Sequence, residues 1–114
     1  MNTEYSILKL YASTTDKIGS HLMYEHIVHL AKNFGISGVT VYRGVMGYGL
    51  SSKISSSKFW ELTEKLPIVI ELIDKTGTLN NFYANIENDL QNMSKGCVVV
   101  MLPVEMKMQK LGQK

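Results

Sequence analysis

The sequence predicts an α+β fold: a ferredoxin-like βαββαβ sandwich, four antiparallel strands with two helices on one face. Three observations carry this. Four segments alternate in polarity or are rich in β-branched residues, as strands are. Two segments repeat apolar residues at helical spacing. Their order is strand–helix–strand–strand–helix–strand, which right-handed crossovers close into one sheet.

The first strand is EYSILKLYA, residues 4–12. Tyr5, Ile7, Lys9 and Tyr11 form a mixed face against Leu8, Leu10 and Ala12. A polar connection covers 13–19. Residues 20–34 then change period, with Met23, Ile27, Leu30, Ala31 and Phe34 as the apolar stripe and Ser20 as the expected cap. Gly35 stands where a left-handed residue commonly closes a helix. The second strand is expected over 36–46. LPIVIELID (66–74) is the third, and its unbroken apolar run suggests burial on both faces. Pro67 then belongs at its first position or on an edge. The second helix is expected over 78–93, with Leu79, Phe82, Ile86, Leu90 and Met93 inward and Thr76 or Thr78 as cap. CVVVMLP (97–103) is the fourth strand. Residues 1–104 thus read as one domain, and 105–114 as a C-terminal tail, either an added edge strand or mobile.

Two helices cover only one sheet face. Tyr5, Ile7, Val39, Val41, Val69, Val98 and Val100 offer more apolar surface than they can bury, so self-association is expected.

Composition excludes several classes. A net charge of +2 lacks the dense basic face that nucleic acid requires. No apolar run approaches the ~18 residues of a membrane span. The start, MNTEYSILKL, has no secretory pattern. A lone cysteine, Cys97, forms no internal disulfide, so a cytoplasmic protein is expected.

The chemistry concentrates in GVMGYGLSSKISSSKFW, residues 44–60. Glycines let successive amides converge on an anion, and Ser51, Ser52 and Lys53 add donors beside Gly47 and Gly49. Arg43 leads in and suits a bidentate phosphate contact. The spacing is not that of a Walker motif. A plain hairpin loop, an anion-binding loop and a partner-docking loop all fit these residue types. Glu61 and Lys65 are four apart, which suggests a short helix over 58–65 anchored by Trp60.

Elsewhere the signals are weaker. His21, Glu25 and His29 are spaced by four, with His26 nearby, which is a possible metal stripe but reads first as a solvated helix face. Cys97 opens an apolar strand and reads as a buried, inert thiol. Glu61, Glu64, Glu71 and Asp74 form no acid–base pair and read as surface groups. With no base in evidence, no enzyme is expected.

Two stretches resemble a known family. GVTVYRGVMGYG (38–49) followed by LPIVIELID, and Asp16, Lys17, Gly19, Leu22, Tyr24 and Glu25 within YASTTDKIGSHLMYEHIV (11–28), resemble the bacterial family of domain of unknown function 190, over about residues 5–104. That family is similar to the nitrogen regulatory protein PII. The resemblance implies a homotrimer with sheets facing inward. It implies a small anionic effector in the cleft between subunits, with an adenine nucleotide as a candidate cofactor, and a loop, 47–58, that engages a transporter or enzyme. Carried onto this chain, the ligand residues are Arg43, Gly47, Gly49, Ser51, Ser52 and Lys95; the loop's own residue types make Tyr48, Lys53 and Trp60 the expected docking residues. PII has a glycine- and lysine-rich segment before its last strand. Here NMSKGC (92–97) retains only Lys95 and Gly96, which implies a smaller phosphate load. Related trimeric proteins of this fold are linked to divalent metal tolerance, and on that alternative reading His21, Glu25, His26 and His29 would matter.

Overall fold

The computed structural model describes residues 4–49, 55–56 and 65–113. The elements are β1 Tyr5–Ser13, β2 Lys17–Ile18, β3 His21–Leu22, α1 Met23–Phe34, β4 Gly38–Arg43, β5 Met46–Gly47, β6 Ser55–Ser56, β7 Pro67–Lys75, α2 Thr76–Gln91 and β8 Val98–Val104. The main sheet has the order β4-β7-β1-β8, all antiparallel. This is the ferredoxin-like topology.

Alternation decides which side chains enter the core. Ser6, Leu8 and Leu10 of β1 are buried, as are Ile68, Ile70, Leu72 and Asp74 of β7. The apolar ones meet Met23, Ile27 and Ala31 of α1 and Leu79, Phe82, Ile86 and Leu90 of α2. Phe34, at the end of α1, stands edge-on to Phe82 with ring centres 5.4 Å apart. Gly35 closes α1 at φ 96°, its amide bonding back to Ala31 and Lys32.

The structure corrects several expectations. Helix α1 begins at Met23, and Ser20 does not cap it. Residues 17–22 instead fold into a ribbon, Lys17 against Leu22 and Ile18 against His21. Gly19 turns it at φ 63°, as the first central position of a two-residue hairpin loop demands. The Met23 amide donates to the Asp16 carbonyl at 2.8 Å, so backbone replaces the side-chain cap. Neither threonine caps α2, which follows Lys75 directly. The Thr76 hydroxyl instead bonds that of Ser6 at 2.6 Å.

β7 starts at Pro67 as expected, but only one of its faces is buried. The second face, with Val69 and Ile73 on either side of Glu71, belongs to the open side of the sheet. Val39 and Val41 lie opposite Leu72 and Ile70 and pack on the core. They are not part of the open face. That face carries Tyr5, Ile7, Lys9 and Tyr11 of β1, Val69, Glu71 and Ile73 of β7, Thr40 and Tyr42 of β4, and Val98, Val100 and Leu102 of β8. Residues 105–113 belong to no strand.

Candidate functional site

Register places the candidate residues at one end of the sheet. Tyr42, Val69, Tyr11 and Val98 form one row across all four strands. Just beyond it β4 ends at Arg43, β7 begins at Pro67, β1 ends at Ser13, and the α2–β8 connection with Lys95 and Cys97 arrives.

Main-chain contacts fix this end. The Gly44 amide donates to the Pro67 carbonyl at 2.7 Å, and the Thr14 amide to the Leu66 carbonyl at 2.9 Å. The Leu66 amide in turn donates to the Thr14 hydroxyl at 3.1 Å. Asp16 is 4% exposed and its carboxylate accepts the Ser13 amide at 2.9 Å. Beyond Gly44 the chain forms a second ribbon, Met46 opposite Ser56 and Gly47 opposite Ser55. The hairpin expected here therefore has a paired stem.

Pro67 is a platform that sequence reasoning missed. A Cβ on Gly44 would lie 3.1 Å from its Cγ, and one on Gly47 would lie 3.4 Å from it. A side chain at 44 would therefore press on the proline ring unless the ring shifted by a few tenths of an ångström, whereas one at 47 would make an ordinary contact.

Arg43 and Gly49 are exposed, Gly47 is half-buried, and Tyr48 is 74% exposed. Lys95 is also exposed, but at the opposite edge, ahead of β8. Three interstrand steps of ~4.8 Å separate the β4 and β8 edges, about 14 Å in all. Within one chain, then, Arg43 ends the edge strand β4, the Gly47 turn packs on Pro67 of β7, and Lys95 precedes the opposite edge strand. Ser51, Ser52, Lys53, Trp60, Glu61, Glu64 and the helix expected over 58–65 lie outside the described residues.

The histidines do not form a stripe. His21 is on β3, outside the helix that carries Glu25, His26 and His29. Its ring stacks on His26 at 5.7 Å, and His26 Nε2 lies 3.9 Å from an Asp89 carboxylate oxygen. Among the described residues no three His, Cys, Asp or Glu side chains are grouped to hold a metal ion.

Cys97 is half-buried against the core. Burial, and secondarily the Asp16 carboxylate, raises its thiol pKa. Burial also raises the Tyr83 hydroxyl, helped by Glu87 and then Cys97. Asp74 is not the surface group expected. It is 8% exposed, and its carboxylate accepts the Ser37 amide at 2.9 Å and the Lys75 amide at 2.6 Å. Glu71 lies on the open face, 3.6 Å from Lys9 Nζ, and accepts the Tyr42 hydroxyl at 3.3 Å. An open depression lined by Glu4, Lys75, Gly77 and Asn81 lies at the far end of the sheet and includes none of the candidate residues. No helix among the described residues is long and apolar enough to cross a membrane.

The topology and the sheet end define a ferredoxin-like protein whose solved structural neighbours include PII-like proteins. One is CPII, a nitrogen regulatory PII-like protein from Thiomonas intermedia, solved bound to ADP, AMP and bicarbonate; it aligns at TM-score 0.61 and 14% identity over 88% of this chain and 87% of its own. Another is a DUF3240 family protein from Shewanella baltica, at TM-score 0.65 and 12% identity over 97% and 100%. At such identities the likeness is one of fold. The chain itself belongs to the family of domain of unknown function 190 (Uncharacterized ACR, COG1993), which it matches over residues 5–106. It is 34% identical over 94 residues to the UPF0166 protein MJ1524 of Methanocaldococcus jannaschii, covering 82% of this chain and 84% of that protein. The family is therefore not confined to bacteria.

Proposed function

We propose that this chain is a PII-like regulatory protein without enzymatic activity. It takes a small anionic effector in a cleft between copies of itself and signals through residues 47–58 to a transporter or enzyme. An adenine nucleotide is the first candidate effector and a homotrimer the candidate assembly.

The observation that carries this reading is the split of the basic groups between two sheet edges. Arg43 ends β4 at one edge and the Gly47 turn packs on Pro67 of β7, while Lys95 precedes β8 at the other edge, whose strand lies three steps of ~4.8 Å from β4. Within one chain Arg43 and Lys95 would share a phosphate only by extending fully toward each other across that gap. A neighbour whose β8 edge faces this β4 edge closes it, and the apolar open face supplies a reason for the neighbour to be there. The adenine ligands of CPII point to the same ligand class. Effector binding then works by population shift.

The test is a thermal-shift and calorimetric screen of the purified chain against ADP, AMP, ATP, cyclic nucleotides, bicarbonate and divalent metals. A ligand at a hundred times its dissociation constant adds about 2.7 kcal/mol of stability. Arg43→Ala and Lys95→Ala are each expected to weaken a phosphate ligand roughly tenfold, the size of one charge-assisted hydrogen bond. A stabilising nucleotide whose binding ignores both substitutions would refute this site. No response to any anion would refute the sensor reading.

A further inference from the structure

One apolar stripe on the open face does not stop where the sheet does. Val98, Val100 and Leu102 of β8 are 46%, 38% and 43% exposed and share the open side with Val104, which pairs with Tyr5 at the last position of the β1–β8 ladder. The alternation then runs on. Met106 is half-buried while Glu105 and Lys107 are exposed, and Met108 is 72% exposed. Glu105 and Lys107 meet at 3.4 Å, so the two exposed residues on either side of Met106 pair with each other. The stripe Val98, Val100, Leu102, Val104, Met106, Met108 thus has the strand period of two throughout. Its last two members extend past the ladder, in a segment that belongs to no strand.

We propose that residues 105–111 are an arm that lies on a second copy of this chain, with Met106 and Met108 against the apolar open face of the neighbour. The inference rests on the self-association proposed above. The occupant is a second copy because the arm is continuous with the face that self-association covers. That face offers matching apolar rows, Ile7, Ile73 and Leu102 on one side and Tyr11, Val69 and Val98 on the other. Unbranched methionines adapt to such a surface, and Lys107 and Glu105 keep the arm's other side in water. The arm makes the assembly depend on residues outside the ferredoxin-like sandwich.

The test compares the full chain with its Met106→Asp/Met108→Asp variant by native mass spectrometry and dilution light scattering. Both residues lie outside the core, so circular dichroism and melting of the diluted variant should match the parent. The expected result is an oligomeric parent and a variant whose dissociation constant is roughly tenfold or more higher, from loss of two methionine contacts. Amide exchange over 105–111 should slow as parent concentration rises. An oligomer of unchanged mass and strength in the variant, with concentration-independent exchange over 105–111, overturns the arm and leaves self-association standing. A monomeric parent overturns self-association itself and the arm with it.

Discussion

Lys9 and Glu71 face each other across β1 and β7, 3.6 Å apart, in the middle of the sheet face that the helices leave open. Tyr42 joins them from β4 by donating to the same carboxylate oxygen. A polar row thus divides two apolar ones.

Left facing water, such a pair contributes about 0–1 kcal/mol. Covered by a neighbour, it becomes a buried pair, and removing one partner costs about 3–5 kcal/mol. Lys9→Met should therefore barely change unfolding of the dilute chain and should weaken self-association markedly. Denaturation followed at low and high protein concentration separates the two. Equal loss at both would mean that the pair serves the monomer alone.

Asp74 supports the sheet from inside. Asp74→Ala leaves the Ser37 amide without its acceptor and is expected to cost about 1–3 kcal/mol in urea unfolding. Asp74→Asn keeps an acceptor oxygen and should cost less. An alanine variant as stable as the parent would remove the carboxylate from any structural role.

At Gly35 the cost is conformational. A Cβ there meets nothing within 4 Å, yet φ is 96°. Gly35→Ala should lose about 1 kcal/mol and Gly35→Asn less, since asparagine tolerates the left-handed region. Melting curves of the three chains decide it, and an alanine variant that melts higher would contradict the capping geometry.

The Cys97 thiol lies above its ordinary value of 9.0, first because of burial and then because of Asp16. A raised thiol pKa means that the folded chain holds the proton more tightly than the unfolded one. The stabilisation is full below the ordinary value and fades as pH rises through the folded value. Alkylation by iodoacetamide should be slow at neutral pH with a midpoint above 9.0. Asp16→Asn should lower that midpoint only partly, because burial remains. A midpoint below the ordinary value would contradict the packing around Cys97.

The strands and helices were legible because each carries a long period, two for β1 and 3.6 for α1 and α2. The ribbon 17–22 was not, since two-residue strands are too short to show one. Asp74 was within reach: it shares parity with Ile68, Ile70 and Leu72, and parity assigns it to the core face. Val39 and Val41 were misassigned to the open face because their partners in β7 are known only once register is. The site was legible as residue types, Arg43 and the glycines. That Lys95 precedes the edge strand opposite β4 was not, because strand order is absent from a linear string. Trp60, Ser51, Ser52 and Lys53 rest on sequence alone.

Gly44 and Pro67 join at the foot of the long connection by a 2.7 Å hydrogen bond. The sheet is therefore closed beneath that insert and does not rely on it. Closing a loop costs only about 0.6 kcal/mol more for each doubling of its length. A longer or shorter stretch between these two residues is therefore expected to leave the sandwich itself standing.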